Sequence, residues 1–136
     1  MADREMRVTF PGGLRVNAEY RGLTIATDQP VKEGGEGSAP APFDLFLASL
    51  ATCAGYYVLI FCQRRLIPTD GLGLAMRMEK NPEIKMIGRI TIDISLPPEF
   101  PERYKEALIR AAEMCTVTAH IRRPPLISVR AEIRPS

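Results

Sequence analysis

Three cysteines, Cys53, Cys62 and Cys115, and one histidine, His120, are the side chains here best suited to nucleophilic or redox chemistry. A thiol reacts as its thiolate, so the surroundings that favour the charged form decide which sulfur can work. Cys115 stands at a boundary between helical segments and is followed by Thr116 and Thr118. A thiol near the N-terminus of a short helix gains thiolate character from the dipole. Cys53 lies midway along an apolar segment, and Cys62 follows it by nine residues. At about 100° per residue these two point to opposite sides of a helix and cannot pair. Cys62, flanked by Phe61 and two arginines, reads as core filling, because free cysteine is among the most buried residue types. Composition does not separate Cys53 from that role.

His120 follows Cys115 by five residues, about 140° around a helix, so spacing does not aim it as a base. It reads as an exposed helix-end residue beside Arg122 and Arg123. One histidine excludes a His-rich metal site and any mechanism that needs two imidazoles. The cysteines lack the CxxC or CxxH spacing of structural zinc sites, so no metal is expected. Gly34-Gly35-Glu36-Gly37 lacks the Lys-Ser/Thr of a phosphate-binding loop.

These side chains must be held by a chain of 136 residues, one domain's worth, read as a single domain over residues 1–136. It is 46% hydrophobic and 25% charged, as in ordinary globular proteins. Eighteen Lys and Arg against sixteen Asp and Glu leave a net charge of +2, too balanced for a nucleic-acid footprint. The mixed-charge N-terminus has no apolar segment of the secretory kind, which favours a reducing cytoplasm.

Met6 to Phe10 alternates weakly before a turn at Pro11-Gly12-Gly13. Leu14 to Tyr20 and Leu23 to Thr27 alternate around Arg21-Gly22, giving a three-strand meander. Lys32 to Pro42 is a flexible loop. Pro42 suits the first turn of a helix, with Asp44 near the positive end of its dipole, and the helix runs to about Leu66. From Leu45 to Gln63 it carries no charge. That length could span a bilayer, but Ser49, Thr52, Gly55, Tyr56 and Tyr57 interrupt it. The reading preferred over a membrane span is a helix buried on every side with a partner's help. Strands from Leu72 to Met78 and from Ile90 to Leu96 form an antiparallel pair joined through Asn81-Pro82. Pro101 opens a second helix with Tyr104, Leu108, Ala111 and Cys115 along its apolar stripe. A short helical turn covers Thr116 to Ile121, and Leu126 to Ile133 is a last strand. The order β-β-β-α-β-β-α-β is an α+β arrangement.

The stretch from Pro42 to Cys53, PFDLFLASLATC, resembles the first cysteine helix of the OsmC/Ohr family. AEMCTVT, from Ala112 to Thr118, resembles its second cysteine motif, and the surrounding elements fall in the family's order over nearly the whole chain. The resemblance implies a homodimer whose antiparallel sheets enclose long central helices. It also implies thiol-dependent reduction of organic hydroperoxides, alkyl or lipid, without metal or organic cofactor. Cys53 would be the peroxidatic thiolate and Cys115 the resolving thiol, with an external dithiol resetting the pair. Leu50, Tyr56 and Tyr57, on the Cys53 side of the helix, would contact the substrate. In the peroxidase branches of the family an acidic residue ten positions before the first cysteine orients an arginine beside the thiolate. Here Phe43 holds that position and Asp44 is the nearest acid, with Arg21 the best match for the arginine and Arg15 behind it. The missing acid motivates an alternative, a non-enzymatic dimer that senses redox state or binds an apolar ligand.

Overall fold

A computed structural model describes residues 4–135, so the first three residues of the mixed-charge N-terminus lie outside it. The chain divides into two compact units, Met1–Ser49 and Leu50–Ser136.

The first unit holds the expected meander. Strands β1 (Arg7–Gly12), β2 (Arg15–Tyr20) and β3 (Leu23–Thr27) pair antiparallel in that order. Tyr20 pairs with Leu23 across a two-residue turn in which Arg21 and Gly22 both have positive φ, 52° and 77°. That is the backbone sense that matches the twist of the flanking strands. The first turn falls later than the sequence suggests. Strand β1 continues through Pro11 to Gly12, with a register shift between Thr9 and Gly12. Proline cannot donate to the ladder, and an irregular edge strand tolerates it.

The Gly-rich loop is organised by one carboxylate. Asp28 is 1% exposed and accepts hydrogen bonds from the N–H groups of Gln29, Glu36 and Ser38 and from the Ser38 hydroxyl. These four donors hold its carboxyl down at about 2. Asp28 also donates its own N–H to the Pro40 carbonyl, which closes the loop.

Helix α1 spans Pro42–Arg64. The Ala41 N–H donates to Asp44 Oδ2 at 3.2 Å, so Asp44 satisfies a donor that the first turn would leave open. By length and composition α1 could cross a membrane. Within the chain, however, it has one buried stripe, Leu50, Ala54, Val58, Phe61 and Cys62, while Phe43, Phe46, Tyr56 and Leu59 are exposed. A single chain thus leaves part of α1 uncovered, as expected for a domain too small to bury the helix alone.

In the second unit, β4 (Gly73–Asn81) and β5 (Met86–Ser95) form an antiparallel pair. Leu74 faces Ile94 and Met76 faces Ile92, the alternation read from the sequence. A short 3-10 turn at Glu102–Tyr104 leads into α2 (Lys105–Glu113), and α3 (Thr116–Arg122) follows. Val58, Phe61, Cys62, Ile67 and Leu108 form the core, flanked by Leu72, Leu74, Ile94, Leu96 and Tyr104. Arg65 lies 3.6 Å over the Phe61 ring and donates to the Phe61 carbonyl, sealing one end of that core.

The expected last strand is absent from the single chain. Residues 124–135 form neither strand nor helix, and Leu126, Ile127, Val129 and Ile133 are exposed. A strand needs a neighbour to complete its hydrogen bonds, and within the described residues this segment pairs with no strand.

Candidate functional site

The second unit brings two of the three cysteines together. Cys53 lies on α1 and is half-buried, whereas Cys115 is buried at the N-cap of α3. The two thiols are within hydrogen-bonding reach of each other. Cys62 lies on the other side of α1, in the core.

Local backbone geometry explains the position of Cys115. Helix α2 ends at Glu113, and Met114 hydrogen-bonds back to the Ala111 carbonyl. Cys115 then leaves the helical region, with φ −54° and ψ 126°, before α3 begins. Its carbonyl accepts the Ala119 N–H, so the residue starts the next helix in full. Its sulfur does not close a strict side-chain cap. The nearby donors act on it electrostatically instead.

Those donors set its ionisation. Burial pushes the Cys115 thiol up. The Thr118 N–H and hydroxyl, the Cys53 thiol and the Val117 N–H outweigh burial, leaving Cys115 below the ordinary 9.0. Cys62 goes the other way, because burial raises it and Arg65 offsets this only in part. The sulfur at the start of α3 is thus the one whose charged form is favoured, with Thr118 the largest of the groups that lower it.

Tyr57 and Thr116 flank the thiol pair. Tyr57 Oη lies 3.1 Å from Thr116 Oγ1, and the Tyr56 and Tyr57 rings meet edge to face at 5.3 Å. Tyr56 is exposed and Leu50 is buried. A recess of 320 Å³ beside Cys115 is lined by Glu113, Met114, Ala119, Arg122 and Arg123. A second recess, of 250 Å³, is largely apolar, with Ala54, Ile90, Ile92, Ile94 and Ile109 along it and Thr118 and Arg122 among its polar lining. Sequence reasoning did not single out Arg122 as a site residue. Its place, seven residues after Cys115 on α3, becomes informative only once α3 is folded against α1 and β5.

Of the other sequence candidates, Arg21, Arg15 and Asp44 lie in the first unit and His120 in the second. Arg21 sits in the β2–β3 turn with its guanidinium over the Tyr20 ring at 5.3 Å. Arg15 donates from Nε to the Gly12 carbonyl and approaches Glu36 at 3.9 Å. Asp44 has the capping contact described above. His120 is exposed, as expected, with Nδ1 2.8 Å from the Thr116 carbonyl.

The OsmC-like protein family profile matches residues 35–130, the stretch that carries both cysteine motifs. The chain belongs to that family. Among solved structures, this OsmC-like chain is similar to a protein from Psychrobacter arcticus 273-4 named for osmotic stress induction and detoxification response. The identity is 25%, with 88% of each chain covered and a TM-score of 0.71. An OsmC-like protein from Mycoplasma pneumoniae shares the fold at 14% identity, covering 89% of this chain and 88% of that one, TM-score 0.65. So does an organic hydroperoxide resistance protein OsmC from Legionella pneumophila, at 22% identity, covering 90% and 92%, TM-score 0.53. No curated protein matches this OsmC-like chain.

Proposed function

We propose that this OsmC-like chain is a thiol-dependent peroxidase that reduces organic hydroperoxides, alkyl or lipid. The observation that carries the reading is the approach of Cys53 and Cys115, sixty-two residues apart in sequence, from two different helices. In this reading the Cys53 thiolate attacks the distal peroxide oxygen. The O–O bond breaks, an alcohol leaves, and Cys53 becomes a sulfenic acid. The Cys115 thiolate then attacks the Cys53 sulfur, the S–O bond breaks, and hydroxide leaves as the disulfide forms. An external dithiol returns the pair to thiols. Support comes from family membership and from the hydroperoxide resistance protein that shares the fold. Arg21 and Asp44 would support the thiolate, and Leu50, Tyr56 and Tyr57 would contact the substrate.

The working protein in this reading is a cytoplasmic homodimer of one OsmC-like domain, residues 1–136, without cofactor. The exposed apolar residues of α1 and of residues 126–133 favour a partner copy.

The test treats reduced protein with tert-butyl hydroperoxide or a fatty-acid hydroperoxide and counts thiols. Loss of two thiols, a Cys53–Cys115 disulfide, and no loss in Cys53→Ser are expected. If Cys53→Ser reacts as fast as the parent chain, the reading fails. The apolar recess beside Thr118 favours a second reading, a non-enzymatic dimer that senses redox state or binds an apolar ligand. Sustained turnover with an added dithiol would exclude it.

A further inference from the structure

The hydrogen bond between Tyr57 and Thr116 joins the neighbours of the two reactive sulfurs. Tyr57 follows Cys53 by four residues on α1, so the two share a helix face. Thr116 is the first residue of α3, directly after the N-cap Cys115. The 3.1 Å contact therefore links the α1 face that bears one thiol to the backbone that bears the other.

Helix α3 has seven residues, too few to hold its own conformation in water. Its orientation depends on tertiary ties. Cys115 has non-helical backbone angles, so a rotation at that residue would swing its sulfur away from α1. A tie at the next residue restrains that rotation more effectively than one further along α3.

We propose that Tyr57 and Thr116 are a positioning pair that holds the Cys115 sulfur facing the Cys53 sulfur for disulfide closure. The proposal deepens the peroxidase reading and gives Tyr57 a task other than substrate contact. In the closing step the Cys115 thiolate supplies the electron pair of the new S–S bond. With sulfenylated Cys53 the S–O bond breaks and hydroxide leaves. With Cys53 as a mixed disulfide with glutathione, the glutathione thiolate leaves instead. In both, the Cys115 sulfur is oxidised; the Cys53 sulfur is reduced on the first route, whereas on the second it stays at the disulfide level and the departing glutathione sulfur is reduced.

The second route tests the clamp without peroxide, so its failure and that of the peroxidase reading are distinguishable. The reduced protein is equilibrated with a glutathione redox buffer, and the ratio of Cys53–Cys115 disulfide to dithiol is measured. One hydrogen bond contributes enough to change such a ratio by about three- to tenfold. Tyr57→Phe and Thr116→Val should each lower the ratio by that factor, and the double variant should be no worse than the lower single variant. Thr116→Ser, which keeps the hydroxyl, should restore the parent ratio. In a Cys115→Ser background, Thr116→Val should leave the rate of mixed-disulfide formation at Cys53 unchanged. An unchanged ratio in Tyr57→Phe, additive losses in the double variant, or an equal fall in Cys53 reactivity would overturn the proposal.

Discussion

The Ser38 hydroxyl donates to Asp28 Oδ2 at 2.6 Å, and the Ser38 N–H donates to the same oxygen at 3.0 Å. Ser38 thus ties the Gly-rich loop to a buried carboxylate ten positions before it. These bonds favour the charged form, which is why the carboxyl falls from 3.8 to about 2. A carboxyl lowered on folding contributes stability that is complete above its unfolded value and is lost as pH falls through its folded value. The loop should therefore keep its full strength down to about pH 4 and weaken toward pH 2. NMR titration of the Asp28 carboxyl checks the midpoint. Ser38→Ala should raise that midpoint, and no upward movement would show that the hydroxyl is not its main cause.

Gly35 is required in the same loop for space. A Cβ built there would overlap the Gln29 carbonyl, a backbone atom that cannot move aside without disturbing Asp28 beside it. Gly35→Ala should lower the thermal midpoint, whereas Gly13→Ala meets no neighbouring atom and carries only its positive-φ strain. Hydrogen exchange at the Glu36 and Ser38 amides locates the damage. Unchanged protection there would contradict the overlap.

Leu108 anchors α2 in the core of the second unit with no exposed surface. Truncating such a side chain removes its transfer free energy and leaves a cavity, so Leu108→Ala should cost about 2–5 kcal/mol in chemical denaturation. Ile109, the next residue, is exposed, and Ile109→Ala should cost far less. Equal losses at the two positions would mean that α2 packs on a different face.

Much of this arrangement is legible in the sequence because it rests on local rules. The alternation around Arg21-Gly22 gives the meander, and Leu74 and Ile94 face each other as their alternation predicts. The 180° offset separates Cys62 from Cys53. The last strand is not legible in that way. Residues 126–133 alternate well enough, but a strand is a property of a pair, and a partner is not encoded in spacing. How far α1 is buried is not legible for the same reason, since it depends on what lies against each face. Tyr57 shows a third limit. Its place beside Cys53 is readable from a four-residue step, but its partner Thr116 lies fifty-nine residues away.

Cys62 and Cys115 should respond to alkali in opposite senses. Burial raises Cys62, so the folded protein keeps that proton after the unfolded chain has released it. Stability should therefore fall as pH rises above 9.0, and Cys62→Ala should flatten the fall. Cys115 is lowered, so its contribution is complete above 9.0 and is lost as pH drops through its folded value. The groups that act on its sulfur are Thr118, Val117 and Cys53, and the recess beside Cys115 carries Glu113, Arg122 and Arg123 in its lining. Ultraviolet absorbance of the thiolate in a Cys62→Ala background reads the remaining cysteines. The first ionisation should come below 9.0 and should move upward in Thr118→Val, which removes the hydroxyl but keeps the N–H. If Thr118→Val leaves that ionisation in place, the hydroxyl does not stabilise the Cys115 thiolate.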